Sequence, residues 1–397
     1  MNQKKMAEYA YQKVPFYNNL CDKPVTTWED YPIIDKKMVL ENKDSLFSPE
    51  YMMQYLNGQL ERVVTSGSTG ECLEIFWEKG QNIKSLIPLW KRRKEYYGIL
   101  PNDKRCYFFS NKIYNGKDMD FEETETGLGF NKLNLTEEKI IKIYNRIVEF
   151  SPTWMIVQPS VILLFINILS KKKIKQQLSL KYIELTGERV TLQTKNTVKK
   201  FFDCKVASQY GCYEINSIAY ECPCGNMHIV SENVFIESVG QNELCVTSLH
   251  NKVMPFVRYK LGDRGQILTD KKCLCGSREP VVELNMARDN DWIYNSDGTR
   301  CHSDLFYNVV SKINFKLEQV VMQYQIVQID YNVFEVYLVV ENDCEKKFIE
   351  ELFVTYYEKY QAKSTFKFFF LDCLYPSEKT GKLAWFISKV KGRGSMS

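Results

Sequence analysis

The chain is expected to have an α/β fold: a large N-terminal domain of mixed sheets and helices, followed by a small, mobile α+β domain. Three observations predict this. Helical stretches alternate with short apolar strands over most of the chain. Two segments, "LKYIELTGE" and "KFFDCKVASQYG", run from an apolar strand into a glycine, and α/β proteins place functional loops at such strand ends. Near residues 288–300, "RDNDWIYNSDGTR" is dense in Asp, Asn and Gly, and the element pattern changes beyond it.

"AEYAYQKVPFYNNL" opens the chain as a helix broken by Pro15. Segment 81–99 and "EEKIIKIYNRIVEF" (137–150) carry helical spacing. "TWMIVQ" reads as a strand, 160–170 as a helix and "LKYIELTGE" as a strand with a glycine turn. Past the linker come strand "VVMQYQIVQID", strand "VFEVYLVVE", a helix over 345–361 and strand "TFKFFFLD". That is a compact α+β unit of about a hundred residues. The large domain is therefore placed over 1–289 and the small one over 290–397.

Bulk properties narrow the function. With 53 basic and 49 acidic residues the net charge is +4, which gives no reason to expect nucleic acid or a membrane surface as partner. The longest apolar run, "VILLFINIL" (161–169), is far short of the roughly 18 residues of a membrane span and reads as a core helix. "MNQKKMAEYAYQK" has no apolar leader region, so 13 cysteines point to a reducing cytoplasm, as thiols or metal ligands.

"VVTSGSTGECLEIF" (63–76) runs from apolar residues into six that are only Thr, Ser and Gly. Such a loop can cradle phosphate, because glycine lets backbone N–H groups approach an anion and hydroxyls add donors. It is not a Walker loop, since Glu71 and Cys72 follow Gly70. Alone it reads equally as a surface turn. Four further motifs follow in order: "SQYGCYE" (208–214), "YKLGDRG" (259–265), "ARDNDWI" (287–293) and "PSEKTGK" (376–382).

Together the five resemble the ordered motif set of the acyl-adenylate-forming superfamily. Within it the chain resembles the phenylacetate–CoA ligase family and its capsular-biosynthesis relatives, matched also by "VPFYNN", "QPSVILLFINIL" and "MPFVRYKLGD". The resemblance implies that Ser66, Gly67, Ser68, Thr69 and Gly70 close on the β- and γ-phosphates of ATP. Gly187 and Glu188 of "TGER" would lie beside adenine, and Tyr210, next to Gly211, would stack on it. Glu214 would hold Mg²⁺, a hard carboxylate for a hard cation. Tyr213 stands where the family usually has Thr, the residue that contacts the α-phosphate there. Asp263 would accept the ribose hydroxyls, and Arg288 would lie near ribose and phosphate, with Ala287 where the family has Gly. Asn290 falls at the family's hinge. Lys382 would be catalytic: a carboxylate attacking the α-phosphorus brings two anions together, and a cation on a mobile loop offsets the developing charge.

"ECPCGNMHI" (221–229) and "KKCLCGS" (271–277) form a second constellation. Cys222, Cys224, His228, Cys273 and Cys275 offer five ligands, and a structural zinc needs four. The resembled branch implies Cys222, His228, Cys273 and Cys275, with Cys224 as a substitute for His228. Two rivals are weaker. A non-enzymatic zinc-binding module on nucleic acid lacks a basic stripe. A serine or cysteine hydrolase has only His228, His250 and His302 as a base and no G-x-S-x-G elbow. The expectation is a cytoplasmic acid–thiol ligase using ATP, Mg²⁺ and a structural Zn²⁺. Its acid is small and aromatic, walled by "YFFSNKIYNG" (107–116), and its acceptor is coenzyme A, or else a carrier protein or an amine.

Overall fold

The strand–helix alternation expected from residue 137 onward is realised in a mostly parallel sheet, which strands Arg105–Phe109 and Gly127–Asn131 also join. The computed structural model describes residues 1–20, 26–65, 73–110, 113–114, 117–288, 291–340, 345–361 and 363–390, with backbone alone at 113, 114, 117, 118 and 286–288. The chain forms two units, each built from two separated stretches: Met1–Asn102 with Ala207–Leu284, and Asp103–Val206 with Asn285–Ser397. The boundary expected at 289/290 remains a proposal, and Asn290 lies outside the described residues.

In the second unit the strands run Tyr182–Thr186, Trp154–Val157, Arg105–Phe109, Gly127–Asn131, Phe121–Glu123. Neighbours among the first four pair in parallel, and the last pairs antiparallel. Strands covered on both faces must be apolar throughout, and Trp154, Met155, Val157, Tyr182, Ile183 and Leu185 are almost fully buried. Helix Glu137–Phe150 starts where the Thr136 hydroxyl accepts the Lys139 N–H, and it buries Ile140, Ile143, Tyr144, Ile147 and Phe150 at helical spacing. Helix Pro159–Lys171 begins with proline, whose missing N–H costs nothing there, and is buried nearly all round in the same core.

Beyond residue 290 the three expected strands and the expected helix form, the helix shortened to Lys346–Tyr357, and helix Asp304–Lys316 and strand Phe386–Ser388 join them unforeseen. The four-stranded sheet runs Thr365–Phe370, Val333–Val340, Val321–Asp330, Phe386–Ser388. The core holds stacked and edge-on rings of Phe306, Phe334, Tyr357 and Phe366. Phe386–Ser388 pairs in parallel with Ile326–Gln328, which fixes the chain just after Lys382. One buried polar pair is matched there: the Asn167 Nδ2 donates to Gln323 Oε1 at 3.0 Å.

The first unit's larger sheet runs Val234–Val239, Glu243–Ser248, Tyr259–Leu268, Val281–Arg288, Met227–Ile229, Asn216–Glu221, Lys205–Cys212. The opening helix breaks at Val14 as expected, into Gln3–Lys13 and Pro15–Leu20. Segment 81–99 departs from one continuous helix: it divides into Gln81–Lys84, Ile87–Arg92 and a π-turn over Arg93–Tyr97 that Gly98 ends at φ +68°. Among the described residues no helix is long and apolar enough to cross a membrane.

Two side chains join the unit's distant stretches. The buried Tyr17 hydroxyl donates to the Pro255 carbonyl and accepts the Val257 N–H, each at 2.9 Å. Arg258 is 6% exposed; its guanidinium donates to Glu237 at 2.9 and 3.3 Å and to the carbonyls of Glu29 and Tyr31 at 3.1 and 2.7 Å. A planar fork with five donors suits that task, which a lysine could not perform. Removing one partner of a buried pair leaves the other charge uncompensated. Arg258→Ala is therefore expected to lower unfolding stability by about 3–5 kcal/mol, measured by chemical denaturation.

Candidate functional site

In the first unit, strands Lys205–Cys212 and Asn216–Glu221 pair with a bulge at Tyr210/Gly211. A Cβ at Gly211 would lie 2.3 Å from the Asn216 carbonyl oxygen, so only glycine fits the close approach. The bulge aims Tyr210 at the neighbouring segment, where its hydroxyl donates to Asp263 Oδ2 at 2.8 Å. Glu214 is 8% exposed and accepts the Tyr259 hydroxyl at 3.3 Å. Burial, and next the Glu214 carboxylate, push the Cys212 thiol well above its ordinary value. Tyr210, Glu214 and Asp263, expected to serve base, metal and ribose, are thus tied to one strand, Tyr259–Leu268. Tyr213 stands half exposed beside them in sequence.

In the second unit, three parallel strands deliver polar groups at their carboxyl ends, where α/β sheets bind ligands. Strand Trp154–Val157 leads to Ser160, strand Tyr182–Thr186 to Gly187 and Glu188, and strand Gly127–Asn131 to Lys132. Glu188 accepts the Ser160 N–H at 2.9 Å, the Ser160 hydroxyl at 2.7 Å and the Leu383 N–H at 3.2 Å. Burial pushes Glu188 above the ordinary carboxylate value, against the opposing pull of Ser160, Lys132 and the Leu383 N–H. A cavity of ≈ 320 Å³ borders this group, lined by Ser160, Glu188, Arg189, Tyr324, Leu383 and Trp385 among others.

Lys382 sits in a closed turn. The Ser377 N–H donates to the Lys382 carbonyl at 2.9 Å, and the Gly381 N–H to the Ser377 carbonyl at 2.7 Å. Gly381 adopts φ +60°, a left-handed conformation that side chains disfavour. Glu188, expected beside adenine, therefore also touches the Lys382 turn.

The cysteine motifs converge. Ligand atoms of Cys222, His228, Cys273 and Cys275 all lie within 4.8 Å of one another. The Cys222 and Cys273 sulfurs are 3.6 Å apart, and Cys275 Sγ is 3.3 Å from His228 Nε2. Bonds of about 2.3 Å to sulfur and about 2.0 Å to nitrogen give tetrahedral edges of roughly 3.5–3.8 Å, so the set fits zinc. His228 Nδ1 lies 2.9 Å from the Glu279 carbonyl, the outer hydrogen bond that orients a metal-binding imidazole. Cys224 is exposed and outside this group of four.

Ser66, Gly67, Ser68, Thr69 and Gly70 lie outside the described residues, as does the Arg288 side chain. The expected acid-pocket wall is only partly of that kind. Phe108 belongs to the core against Phe130 and Phe165, Tyr107 hydrogen-bonds Glu122, and Asn111 is outside the described residues. Sequence reasoning missed Lys132 and Ser160. The signal was position: Lys132 directly follows strand Gly127–Asn131, and Ser160 opens the helix that follows strand Trp154–Val157.

No protein-family model matches the chain. It is 24% identical over 400 residues to "Protein CapK" of Staphylococcus aureus, spanning 98% of this chain and 86% of that one. Among solved structures it is similar to 2-hydroxyisobutyryl-CoA ligase in the postadenylation state, with a TM-score of 0.74, 12% identity and 98% and 88% of the two chains covered. It is also similar to the anthranilate CoA ligase AuaEII in complex with anthranoyl-AMP, with a TM-score of 0.53, 12% identity and 82% and 65% covered. The chain has the fold of these acyl- and aryl-CoA ligases. At such identity the likeness extends to the fold alone.

Proposed function

We propose that the protein uses ATP to activate a carboxylic acid as an acyl-adenylate, releasing pyrophosphate, and then passes the acyl group to a thiol, that of coenzyme A. The observation that carries this reading is the 2.8 Å hydrogen bond from Tyr210 to Asp263. It joins a ring suited to a purine face with a carboxylate suited to ribose hydroxyls, 53 residues apart in sequence. The fold shared with ligases that bind acyl-AMP supports it.

In the first half-reaction an acid oxygen attacks the α-phosphorus as the bond to pyrophosphate breaks. Lys382 offsets the negative charge that gathers on the phosphoryl oxygens. Glu214 would hold Mg²⁺, which neutralises phosphate charge when bound. In the second, a thiolate attacks the acyl carbon and AMP leaves. Cys222, His228, Cys273 and Cys275 would hold a structural Zn²⁺ that pins the two loops carrying them. The small domain over 290–397 would move between the half-reactions. The protein is proposed to work in the cytoplasm.

For Lys382→Ala, acid-dependent pyrophosphate exchange is expected to fall about a hundredfold or more, because a charge-stabilising group acts in that step. Thioester formation from a supplied adenylate should largely survive. Equal loss of both half-reactions would refute a step-specific lysine.

The purified protein should carry close to one zinc per chain by metal analysis. Cys273→Ser should lower both zinc content and thermal stability, because a closed site feeds its binding energy into folding. Cys224→Ser should leave both unchanged.

The acid is proposed to be aryl, benzoate- or phenylacetate-like, with a hydroxyl or amino substituent, in keeping with the anthranilate ligase among the similar structures. Exchange across a panel of benzoate, phenylacetate, anthranilate, 2-hydroxyisobutyrate, acetate and palmitate should be highest with an aryl acid. Highest activity with acetate or palmitate, and none with aryl acids, would overturn it.

A further inference from the structure

Lys132 is 4% exposed, and a lysine so placed needs a reason. Its backbone is fixed by a hydrogen bond from its N–H to the Phe109 carbonyl at 2.9 Å, and by the Asn131 side chain, which accepts the Leu133 N–H at 2.9 Å. From that strand end its side chain runs along the Lys382 turn. A Cβ at Gly381 would lie 2.8 Å from both Cγ and Cε of Lys132 and 3.0 Å from Cδ. The glycine is therefore seated on the lysine's methylene stem, and no larger residue could sit there without displacing it. Two charged groups act on the Lys132 ammonium: Glu188, which favours its cation, and Lys382, which opposes it.

We propose that Lys132 and Glu188 form a latch that seats the Lys382 turn, making Lys132 a positioning residue for the adenylation half-reaction. This rests on the ligase reading given above. Glu188 holds the far side of the turn through the Leu383 N–H, and Lys132 supplies both the surface under Gly381 and a counter-charge for Glu188. An ionised acceptor makes the stronger hydrogen bond, so a cation that favours the Glu188 anion tightens the hold on Leu383. The like charges of Lys132 and Lys382 repel each other, so Lys382 opposes the cation on Lys132 while Glu188 favours it.

Protonation gives the latch a signature. Burial first, with Lys382 adding to it and Glu188 opposing, lowers the Lys132 ammonium to about 8. Its cation is thus present below that pH and lost as pH rises through it, and Glu188 then loses its counter-charge.

Two measurements test the proposal. Lys132→Met keeps the stem and removes the charge. It should lower acid-dependent pyrophosphate exchange about tenfold, lower thioester formation from supplied adenylate by less than about twofold, and abolish the wild type's decline in exchange above about pH 8. Hydrogen exchange of the holoprotein reads the latch without any substrate. Amides of 381–383 should exchange about tenfold faster in Lys132→Met and in Glu188→Gln, and Gly381→Ala should do the same from the other side of the contact without altering a charge. Unchanged protection in all three variants, or equal loss of both half-reactions with an unaltered pH profile, would overturn the latch. Wild-type protein that exchanges pyrophosphate with no acid would instead refute the ligase reading, and the amide measurement would still decide the latch.

Discussion

A carboxylate drawn partly out of water must be met by donors or by positive charge, and Glu188 is met from several directions. Ser160 supplies an N–H and a hydroxyl from the start of helix Pro159–Lys171, Leu383 supplies an N–H from the Lys382 turn, and Lys132 supplies a cation. Because each donor stands at the end of a different element, satisfying one anion fixes the relative positions of three strand ends and the turn. The helix N-terminus adds a favourable partial charge at the same point. The parallel sheet makes this convergence available: its strands all present their carboxyl ends on one side.

The first unit solves a similar problem with the opposite sign. Arg258 is a buried cation surrounded by acceptors, one carboxylate and a row of carbonyls. It immediately precedes strand Tyr259–Leu268, so the group that anchors the N-terminal stretch also anchors the strand holding Asp263 and Tyr259. Tyr17 adds a second tie one residue upstream of Arg258, at Val257. The quoted likeness of "VPFYNN" and "MPFVRYKLGD" to one family acquires a physical meaning here. The two segments are halves of one hydrogen-bonded joint.

Local pattern carried much of this into the sequence. Period-3.6 spacing marked Glu137–Phe150 to the residue, and apolar runs marked Trp154–Val157, Tyr182–Thr186, Val321–Asp330, Val333–Val340 and Thr365–Phe370, but not Phe386–Ser388. Cysteine spacing marked five candidates and the family resemblance favoured Cys222, His228, Cys273 and Cys275, the four whose ligand atoms converge, while Cys224 is exposed. What pattern could not carry was anything set by strand order. Lys132 reads as an ordinary solvated lysine until the sheet places Gly381, 249 positions later, against its stem. Glu188 showed its chemistry in "TGER" but not its neighbours. The aromatic run 107–109 showed its rings but not their faces: alternation sends Phe108 inward and leaves Tyr107 to meet Glu122.

Both units are discontinuous in the chain, and this sets a timetable for biosynthesis. Tyr17 cannot meet Val257 until some 240 further residues have left the ribosome, which at about 5–20 residues per second is a wait of roughly 12–48 s. Residues 103–206 emerge in the interval, and their own unit in turn lacks the segment from Asn285 onward. Apolar surface of the N-terminal stretch, around Phe16, Leu46 and Trp77, stays uncovered throughout that interval. The nascent protein therefore spends most of its synthesis with both units incomplete and apolar surface exposed, the condition under which chains aggregate and chaperones act.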